Sequence, residues 1–335
     1  MLEPVVFRGK TVILLDQRKL PGKICYVRVK TAASLAKAIK DMVVRGAPAI
    51  GVAAAYGMVL GRKNIKKSAQ ILLKSRPTAV NLKWAVERML KVGVQYIEPL
   101  RRVQSFEPLL KEAKKIDSEN KNLCEKISTY GAALIGKNAK VMTHCNAGPL
   151  ATGGIGTALG IIYKARRKIK MVYVGETRPR LQGARLTALE LRRWKIPCTL
   201  ITDSSAAFIM KKSAIDSVII GADRIAANGD VANKIGSYSL AICAKYHNVP
   251  FYVAAPYSTI DFNSKDGGKI VIEERDSGEV LKINGKNIAA AGIKAANPAF
   301  DVTPASLVAA IITEKGIIKS PDRKKMSKFY GKIRV

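Results

Sequence analysis

Short apolar runs rich in β-branched residues alternate with helix-like segments in the second half of the chain. The runs are KVMTH, KMVYVGE, CTLIT, SVIIGAD and PFYVAA. Helical patterns separate most of them, at 152–166, 182–194, 205–212 and 236–246. Because such alternation needs crossover connections, it favours a parallel, doubly wound α/β sheet.

The first part of the chain has a different pattern. TVILLD and ICYVRV, with the turn KLPGK between them, predict a small antiparallel hairpin. From about Ala33 to Lys137 the apolar residues are spaced as in amphipathic helices. We therefore expect a strand-and-helix region before the parallel sheet, with the boundary near residues 125–140.

Composition narrows the class of protein. A chain of 335 residues, 48% hydrophobic, suits one large or two medium domains. No apolar run reaches 18 residues and the N-terminus has no long apolar stretch, so we expect neither a membrane span nor a signal peptide. Five scattered cysteines without a CxxC pair are typical of a reducing compartment, which predicts a cytoplasmic protein.

The formal charge of +33, from 58 Lys and Arg against 25 Asp and Glu, is extreme. It could attract nucleic acid or phosphorylated ligands, or it could be a bias spread over the surface. No nucleic-acid-binding motif or aromatic-interleaved basic stripe accompanies it. We therefore expect no nucleic-acid partner, and the role of the charge stays open.

Polar loops follow the predicted strands: HCNAG, ETRPRLQG, DSS, ADRIAANGD and APYSTID. Ligands of open α/β sheets bind beyond the carboxyl ends of the strands, so these loops should converge on one rim. A single Asp after a strand is usually a cap or turn residue, but five polar loops on one edge indicate a site. The candidates are Cys145, Glu176, Arg178, Asp203, Asp223 and Asp261.

His144 and Cys145 are neighbours in THCNAG, which suggests a metal site, a Cys–His pair or a coincidence. With two histidines in the chain and no ligand spacing, we expect no metal. Neighbouring side chains at a strand end point in opposite directions, so His144 is expected to be a scaffold for Cys145 and not its base. Asp223, on the same rim, is the better partner.

Three other segments have ligand-like features. GGIGTALG could cradle a phosphate, but nine residues separate it from the strand, so we expect no dinucleotide cofactor. Arg45 stands beside a helix start with Pro48 in the first turn, which suits phosphate binding or a plain helix entry. Asn228–Gly229 predicts a tight turn, after which Asn233 and Lys234 precede a helix.

The ordered motifs together resemble one family. They are RGAPAIG, SRPTAVNL, THCNAG, GETRPRLQGARLTALEL, TLITDSSAAFIM, GADRIAANGDVANKIGSY, PFYVAAPYSTID, IEER and NPAFDVTP, over about residues 40–315. These blocks are similar to those of S-methyl-5-thioribose-1-phosphate isomerases, enzymes of methionine salvage. The chain departs from that pattern in a short segment between the first two blocks and in Ser237, where threonine is usual.

The resemblance implies an N-terminal domain of antiparallel strands and helices over 1–130, a Rossmann-like domain over 131–335, and a homodimer. It implies an aldose–ketose isomerase of a small sugar phosphate, without metal or cofactor. It places the catalytic residues on Cys145 and Asp223. Substrate contacts carry over to Arg45, Gly46, Ala47, Arg76, Gln182, Asn233 and Lys234.

Two relatives remain as alternatives. Ribose-1,5-bisphosphate isomerase would keep the same cysteine and aspartate, whereas regulatory subunits of translation initiation factor 2B share the fold without catalysis. The two sugars differ at C5, and the sequence does not identify the residues that contact that position.

The implied reaction converts an aldose 1-phosphate to a ketose 1-phosphate, and the anomeric phosphate prevents free ring opening. Asp223, with a pKa raised by desolvation, would act as general acid at the ring oxygen. Cys145, with a pKa lowered near a helix N-terminus, would remove the C2 proton as thiolate. A hydride shift from C2 to C1, with Cys145 shielding or stabilising, is the open alternative.

Overall fold

A computed structural model describes residues 1–77, 79–97 and 106–334 of the chain. Thr78, in the SRPTAVNL motif, lies outside the described residues. Two compact units are present: one of Met1–Glu125 and Ala147–Gly156, the other of Lys126–Asn146 and Thr157–Val335. Residues 147–156, which directly follow THCN, thus belong with the first unit, and the domain bounds 1–130 and 131–335 remain a prediction.

The first unit combines a small sheet with helices. Its elements are β1 (Val5–Arg8), β2 (Thr11–Leu15), β3 (Tyr26–Val29), α1 (Ala32–Lys40), α2 (Ala47–Leu60), α3 (Ile65–Ser75), α4 (Val80–Ile97), the start of α5 (Phe106–Ala132), and α6 (Pro149–Thr152). The strands pair in the order β1–β2–β3, all antiparallel. The predicted hairpin is therefore confirmed, with β1 added at its edge.

Helix α2 forms the centre of the first unit. Its sequence, APAIGVAAAYGMVL, is apolar all round, and every residue from Ala49 to Val59 is buried. A helix of this kind is stable only when other elements surround it. It packs against α1, α3 and α4, with Pro48 in the first turn as predicted.

The second unit is built on strands. Its elements are β4 (Ala139–Thr143), α7 (Ala158–Lys164), β5 (Ile169–Gly175), α8 (Ala188–Arg193), β6 (Cys198–Ile201), α9 (Ala206–Ser213), β7 (Ser217–Ile220), β8 (Arg224–Ala226), β9 (Val231–Lys234), α10 (Ser237–Tyr246), β10 (Phe251–Ala254), β11 (Ile260–Asp261), α11 (Gly278–Leu281), β12 (Lys282–Ile283), β13 (Lys286–Asn287), β14 (Phe300–Thr303), β15 (Ala310–Thr313), β16 (Gly316–Lys319) and α12 (Arg323–Arg334).

The main sheet has the order β16–β15–β10–β7–β4–β5–β6. All neighbouring pairs are parallel except β15 and β16 at one edge. The central strand β7, with the sequence SVII, is buried along its whole length, as expected for a parallel strand covered on both faces. The predicted parallel α/β sheet is confirmed.

The helix predicted over 152–166 is interrupted. Gly153 and Gly156 have φ angles of +78° and +105°, and the helical residues begin again only at Ala158. Left-handed glycines end one helix and admit the turn before the next, because glycine has no Cβ to clash in that conformation.

A second sheet, β11–β8–β9–β14, was not predicted. Its strands have two to four residues, too few for an alternating pattern to be recognised. The predicted tight turn at Asn228–Gly229 is confirmed: it joins β8 to β9, and Gly229 has a φ of +93°. Within residues 1–77, 79–97 and 106–334, no helix is both long and apolar enough to cross a bilayer.

Candidate active site

Cys145 and Asp223 follow two neighbouring strands of the main sheet. Strands β4 and β7 pair in parallel, with Val141 opposite Ser217, so their carboxyl ends lie at the same edge. Cys145 comes two residues after β4, and Asp223 three residues after β7. The predicted placement of both residues on one rim is therefore what the sheet produces.

The backbone of Cys145 is tightly held. Its φ angle is +61°, in the left-handed region that non-glycine residues rarely adopt. Its N–H donates to Thr177 Oγ1 at 2.8 Å, and its carbonyl oxygen accepts from Thr187 Oγ1 at 2.6 Å. The side chain is half-buried. The N–H group and the carbonyl oxygen of the residue that bears the thiol are thus both hydrogen-bonded.

Asp223 has different surroundings. Its backbone N–H donates to the carbonyl of Ala232 at 3.0 Å, where the β8–β9 hairpin begins. The side chain is exposed, so the described chain does not provide the burial on which the predicted pKa rise depends. The pairing of Arg224 with Ala232 places Asn233 across from Asp223, because the two strands are antiparallel.

Lys234 links the two candidate catalytic residues electrostatically. Burial lowers the pKa of its ammonium group, while the negative charges of Cys145 and Asp223 act on it in the opposite direction. The ammonium donates to the carbonyl of Ala299 and lies 4.4 Å from the ring centroid of Phe300. The charge of Lys234 therefore acts on both candidate catalytic residues, and the three residues are called the Cys–Lys–Asp cluster.

Ser237, which stands where the resembling family usually has threonine, provides a hydroxyl group that is hydrogen-bonded in the structure. Asn233 Nδ2 donates to Ser237 Oγ at 2.8 Å, and that oxygen donates to the Lys234 carbonyl at 2.7 Å. Threonine would offer the same hydroxyl group. The substitution thus leaves the support of Asn233 and Lys234 unchanged in kind.

The His144 side chain contacts two other loops, and its role as a scaffold for Cys145 stays a prediction. The imidazole is buried, with Nε2 at 2.9 Å from the Ile235 carbonyl and Nδ1 at 3.7 Å from Asp203 Oδ1. Burial lowers the pKa of His144, which favours the neutral ring with the proton on Nε2. Asp203 in turn accepts from the backbone N–H groups of Thr177 and Arg178, at 2.8 and 2.7 Å. The ring therefore connects the loops after β6 and β9.

Gln182 lies in the loop after β5, just before the π-helical turn Gly183–Thr187. It is 8% exposed, and its Oε1 atom has no hydrogen-bond partner among the described residues. A Cβ at position 183 would come within 1.8 Å of the Gly175 carbonyl, so only glycine lets the turn lie against the end of β5. A buried amide oxygen without a partner suits contact with a ligand.

Four of the predicted substrate contacts belong to the first unit. Gly46 is the N-cap of α2 with a φ of +90°, and a Cβ there would approach the Ala151 carbonyl to 2.2 Å. Ala47 begins the helix beside the half-buried Arg45, and Arg76 ends α3 as its C-cap. The RGAP motif is thus a glycine-dependent helix start packed on the segment that follows THCN.

Asp261 reaches the neighbourhood of Asp223 from a different sheet. It lies on β11 of the second sheet, accepts from Asn263 N and Ser264 Oγ, and is 3.6 Å from Arg224. Asp261 thus lies beside the residue that follows Asp223, on a strand of the second sheet and not of the main one. Two other candidates from the strand-end loops have partners within the second unit. The Arg178 side chain donates to the Val280 carbonyl at 2.7 Å, and the Glu176 backbone N–H donates to the Ile201 carbonyl at 2.9 Å.

The groups on the rim suit acid–base chemistry on an anionic ligand. A thiol and a carboxylate can exchange protons with a substrate, and Lys234 offers a positive charge. Among the described residues, no group of three or more His, Cys, Asp or Glu side chains could hold a metal ion. Thr177 and Thr187 were not among the predicted residues, because nothing in the sequence pattern marks a hydroxyl that bonds a distant peptide.

The chain has a doubly wound α/β sheet with the candidate catalytic residues after the carboxyl ends of its strands. In proteins of this class, small ligands bind at that edge of the sheet. Residues 29–320 match the sequence model of the initiation factor 2 subunit family. The chain belongs to this family.

Relatives of two kinds are similar to the chain. It is 53% identical to a methylthioribose-1-phosphate isomerase of Caldicellulosiruptor saccharolyticus, over 97% of this chain and 98% of that one. The solved 5-methylthioribose 1-phosphate isomerase of Pyrococcus horikoshii OT3 is 39% identical with a TM-score of 0.92, covering 99% and 96% of the two chains. The translation initiation factor eIF-2B subunit delta of A. fulgidus is 41% identical with a TM-score of 0.88, covering 98% and 100%.

Proposed function

We propose that this chain is an aldose–ketose isomerase that converts S-methyl-5-thio-ribose 1-phosphate to S-methyl-5-thio-ribulose 1-phosphate, a step of methionine salvage. The main support is the placement of Cys145 and Asp223 after two adjacent parallel strands, with Lys234, at the end of β9, acting electrostatically on both. The names of the isomerase relatives, matched over nearly the whole chain, support it.

The reaction divides between the two catalytic candidates. Asp223, in its acid form, donates a proton to the ring oxygen as the bond between C1 and that oxygen breaks. The Cys145 thiolate removes the proton from C2, which leaves a double bond between C1 and C2. Protonation of C1 by the thiol and loss of the C2 hydroxyl proton to the Asp223 carboxylate then give the ketose. Both side chains return to their starting protonation states.

Asp223 is exposed in the chain itself, so the bound sugar must supply its cover. A ligand lying over the carboxyl group removes water from it and disfavours its charged form. The acid required for ring opening would then form only when substrate is present.

The hydride route remains the alternative for the second half of the reaction. In that route the hydrogen at C2 moves to C1 with its electron pair, and Cys145 shields the migrating hydrogen. Substrate deuterated at C2 separates the two. Retention of deuterium at C1 indicates hydride transfer, and exchange with water indicates proton abstraction by Cys145.

The deciding assay uses the purified chain with two sugars. Ketose formation from methylthioribose 1-phosphate, and not from ribose 1,5-bisphosphate, is the expected result. Turnover of the bisphosphate alone would assign the chain to the other isomerase. Binding of either sugar without turnover would instead favour the alternative of a non-catalytic protein.

The substrate contacts remain part of the proposal. They are Arg45, Gly46, Ala47 and Arg76 in the first unit, and Gln182, Asn233 and Lys234 in the second. The partnerless amide oxygen of Gln182 and the cationic Lys234 support the last group. Cationic and amide groups suit a phosphate and sugar hydroxyls.

We also propose a Rossmann-like second domain, a homodimer and a cytoplasmic location. The parallel sheet supports the first, and five cysteines without a disulfide support a reducing compartment. Tyr238, Ile242 and Tyr246, spaced four residues apart on α10, are large and exposed, which supports a second copy on that face. Light scattering of the wild type and of Ile242→Glu tests the dimer.

A further inference from the structure

Hydrogen bonds connect the ends of three adjacent strands behind Cys145. Strands β4, β5 and β6 are neighbours in the sheet, and Cys145, Thr177 and Asp203 follow them in turn. Cys145 N–H donates to Thr177 Oγ1, and Thr177 N–H donates to Asp203 Oδ1, both at 2.8 Å. The cysteine peptide is therefore anchored across the rim by side chains that do not belong to the cluster with Lys234 and Asp223.

The Thr177 hydroxyl has one defined orientation. It accepts from Cys145 N–H and donates to the Gly175 carbonyl at 3.1 Å, which uses its single proton. The residue is 0% exposed and has a φ of +66°, so its own backbone is also left-handed. The two bonds from Thr177 N–H and Arg178 N–H to the Asp203 carboxylate hold it there.

The Thr187 hydroxyl is equally defined from the opposite side. It donates to the Cys145 carbonyl at 2.6 Å and accepts from Asn146 Nδ2 at 3.1 Å. Asn146 Nδ2 also lies 2.6 Å from Glu190 Oε2. Thr187 is 0% exposed and closes the π-helical turn, a form of helix frequent at functional sites.

A left-handed cysteine costs free energy, and it persists only where the surroundings determine it. Here the two hydroxyls bond the two polar groups of the Cys145 backbone, and both are shielded from water that could replace them. Because φ and ψ set the direction of the Cα–Cβ bond relative to the flanking peptides, these bonds also set the point from which the sulfur extends. Relaxation of the residue to an ordinary conformation would turn the thiol away.

We propose that Thr177 and Thr187 are positioning residues that hold the Cys145 backbone in its left-handed conformation and so aim its thiol at the substrate. The proposal rests on the proposed catalytic role of Cys145. Neither threonine needs to touch the sugar; each acts through the cysteine peptide.

The test compares isosteric and conservative variants at each position. Thr177→Val and Thr187→Val keep the side-chain shape and remove the hydroxyl, whereas Thr177→Ser and Thr187→Ser keep the hydroxyl. The valine variants are expected to lose roughly 10- to 100-fold in kcat with KM within about threefold of wild type, since small displacements of a reacting group have effects of this size. The serine variants are expected to stay within about threefold of wild type, because the hydroxyl bond is retained.

A second readout does not depend on the sugar. The rate of alkylation of Cys145 by iodoacetamide is followed by mass spectrometry of its peptide, with the Cys198 peptide as internal reference. The valine variants are expected to change the Cys145 rate severalfold and to leave the Cys198 rate unchanged. Valine variants with wild-type kcat and wild-type alkylation of Cys145 would overturn the proposal, as would serine variants as impaired as the valine ones.

Melting temperatures and circular dichroism show which variants fold. If a valine variant does not fold, Thr177→Ala or Thr187→Ala replaces it, with the same expected results. If the wild type isomerises neither sugar, the proposed function fails, yet the alkylation experiment still decides whether the threonines position the thiol.

Discussion

Cys145 and Asp223 follow adjacent strands of one sheet, but the fold treats them differently. Cys145 has a left-handed backbone conformation, and buried hydroxyls bond both its N–H group and its carbonyl oxygen. Asp223 begins a hairpin, is anchored by one backbone bond to Ala232, and leaves its carboxyl group exposed. In the proposed mechanism, the fold therefore positions the base before substrate binds, and the ligand completes the environment of the acid.

This difference has a chemical reason. A carbon acid at C2 requires the base at a defined distance and angle, which a rigid peptide provides. A carboxyl group that must be protonated at neutral pH needs desolvation, and a bound sugar can supply that only when it is present.

The largest effect is expected for replacement of Cys145. Replacing Cys145 by serine leaves a hydroxyl of far higher pKa at the same position, so kcat is expected to fall by at least about 10³-fold, within the range for a lost acid–base group. Steady-state assay of ketose formation measures the loss. Cys198→Ser, on β6, is the matched control and should retain full activity; a Cys145→Ser enzyme within tenfold of wild type would remove Cys145 from the chemistry.

Asp223→Asn tests the exposed acid. The amide cannot donate a carboxyl proton to the ring oxygen, so kcat is expected to fall by about 10²-fold or more, while binding of the sugar measured by calorimetry stays within a few fold. Asp41→Asn, at an ion pair of the first unit, provides the control. Equal kcat for Asp223→Asn and the control would show that ring opening does not use this carboxylate.

Lys234 acts electrostatically on both Cys145 and Asp223, so its replacement tests an interaction that the two residues have in common. Lys234→Met removes a charge that faces both Cys145 and Asp223, and KM for the sugar phosphate is expected to rise roughly 10-fold or more, the usual range for a charged hydrogen bond. Lys245→Met, exposed on α10, controls for the loss of a charge. An unchanged KM with a lower kcat would instead place Lys234 in the chemistry and not in binding.

The smallest effect concerns the scaffold behind Cys145. Burial holds the pKa of His144 below its ordinary value of 6.5, so the unfolded chain binds a proton more readily than the folded one. This contribution to stability is present above about pH 6.5 and is lost as pH falls towards the folded pKa, by at most about 1.4 kcal/mol for each pH unit.

Urea unfolding at pH 7.5 and pH 5.5 measures this loss. His144→Gln, which keeps a donor for the Ile235 carbonyl, is expected to show a smaller decrease in unfolding free energy between the two pH values than wild type. His247→Gln at the end of α10 is expected to keep the wild-type decrease. An identical decrease in wild type and His144→Gln would mean that His144 does not titrate differently in the two states.

Much of this arrangement was predictable from local patterns. The apolar runs predicted the parallel strands, and the polar residues after them placed Cys145 and Asp223 on one rim. The RGAP motif predicted the start of α2, which Gly46 and Pro48 form as expected. Each of these inferences uses residues within a few positions of one another, where periodicity and backbone preferences carry the information.

Other features depended on contacts between distant residues. Asp261 entered a second sheet, and the strands that bring Asn233 beside Asp223 were too short to recognise. The exposure of Asp223 was likewise not visible from the apolar run that precedes it.

The strand-and-helix alternation, the strand-end loops and the residue types available for acid–base chemistry can all be read from the amino-acid sequence. The order of the strands cannot: β4 lies between β7 and β5 in the folded chain, so that Cys145 has Asp223 on one side and Thr177 on the other. The physical reason is separation along the chain: Cys145 bonds hydroxyls 32 and 42 residues away. No local pattern encodes such hydrogen bonds, because they exist only once the order of the strands in the sheet is set.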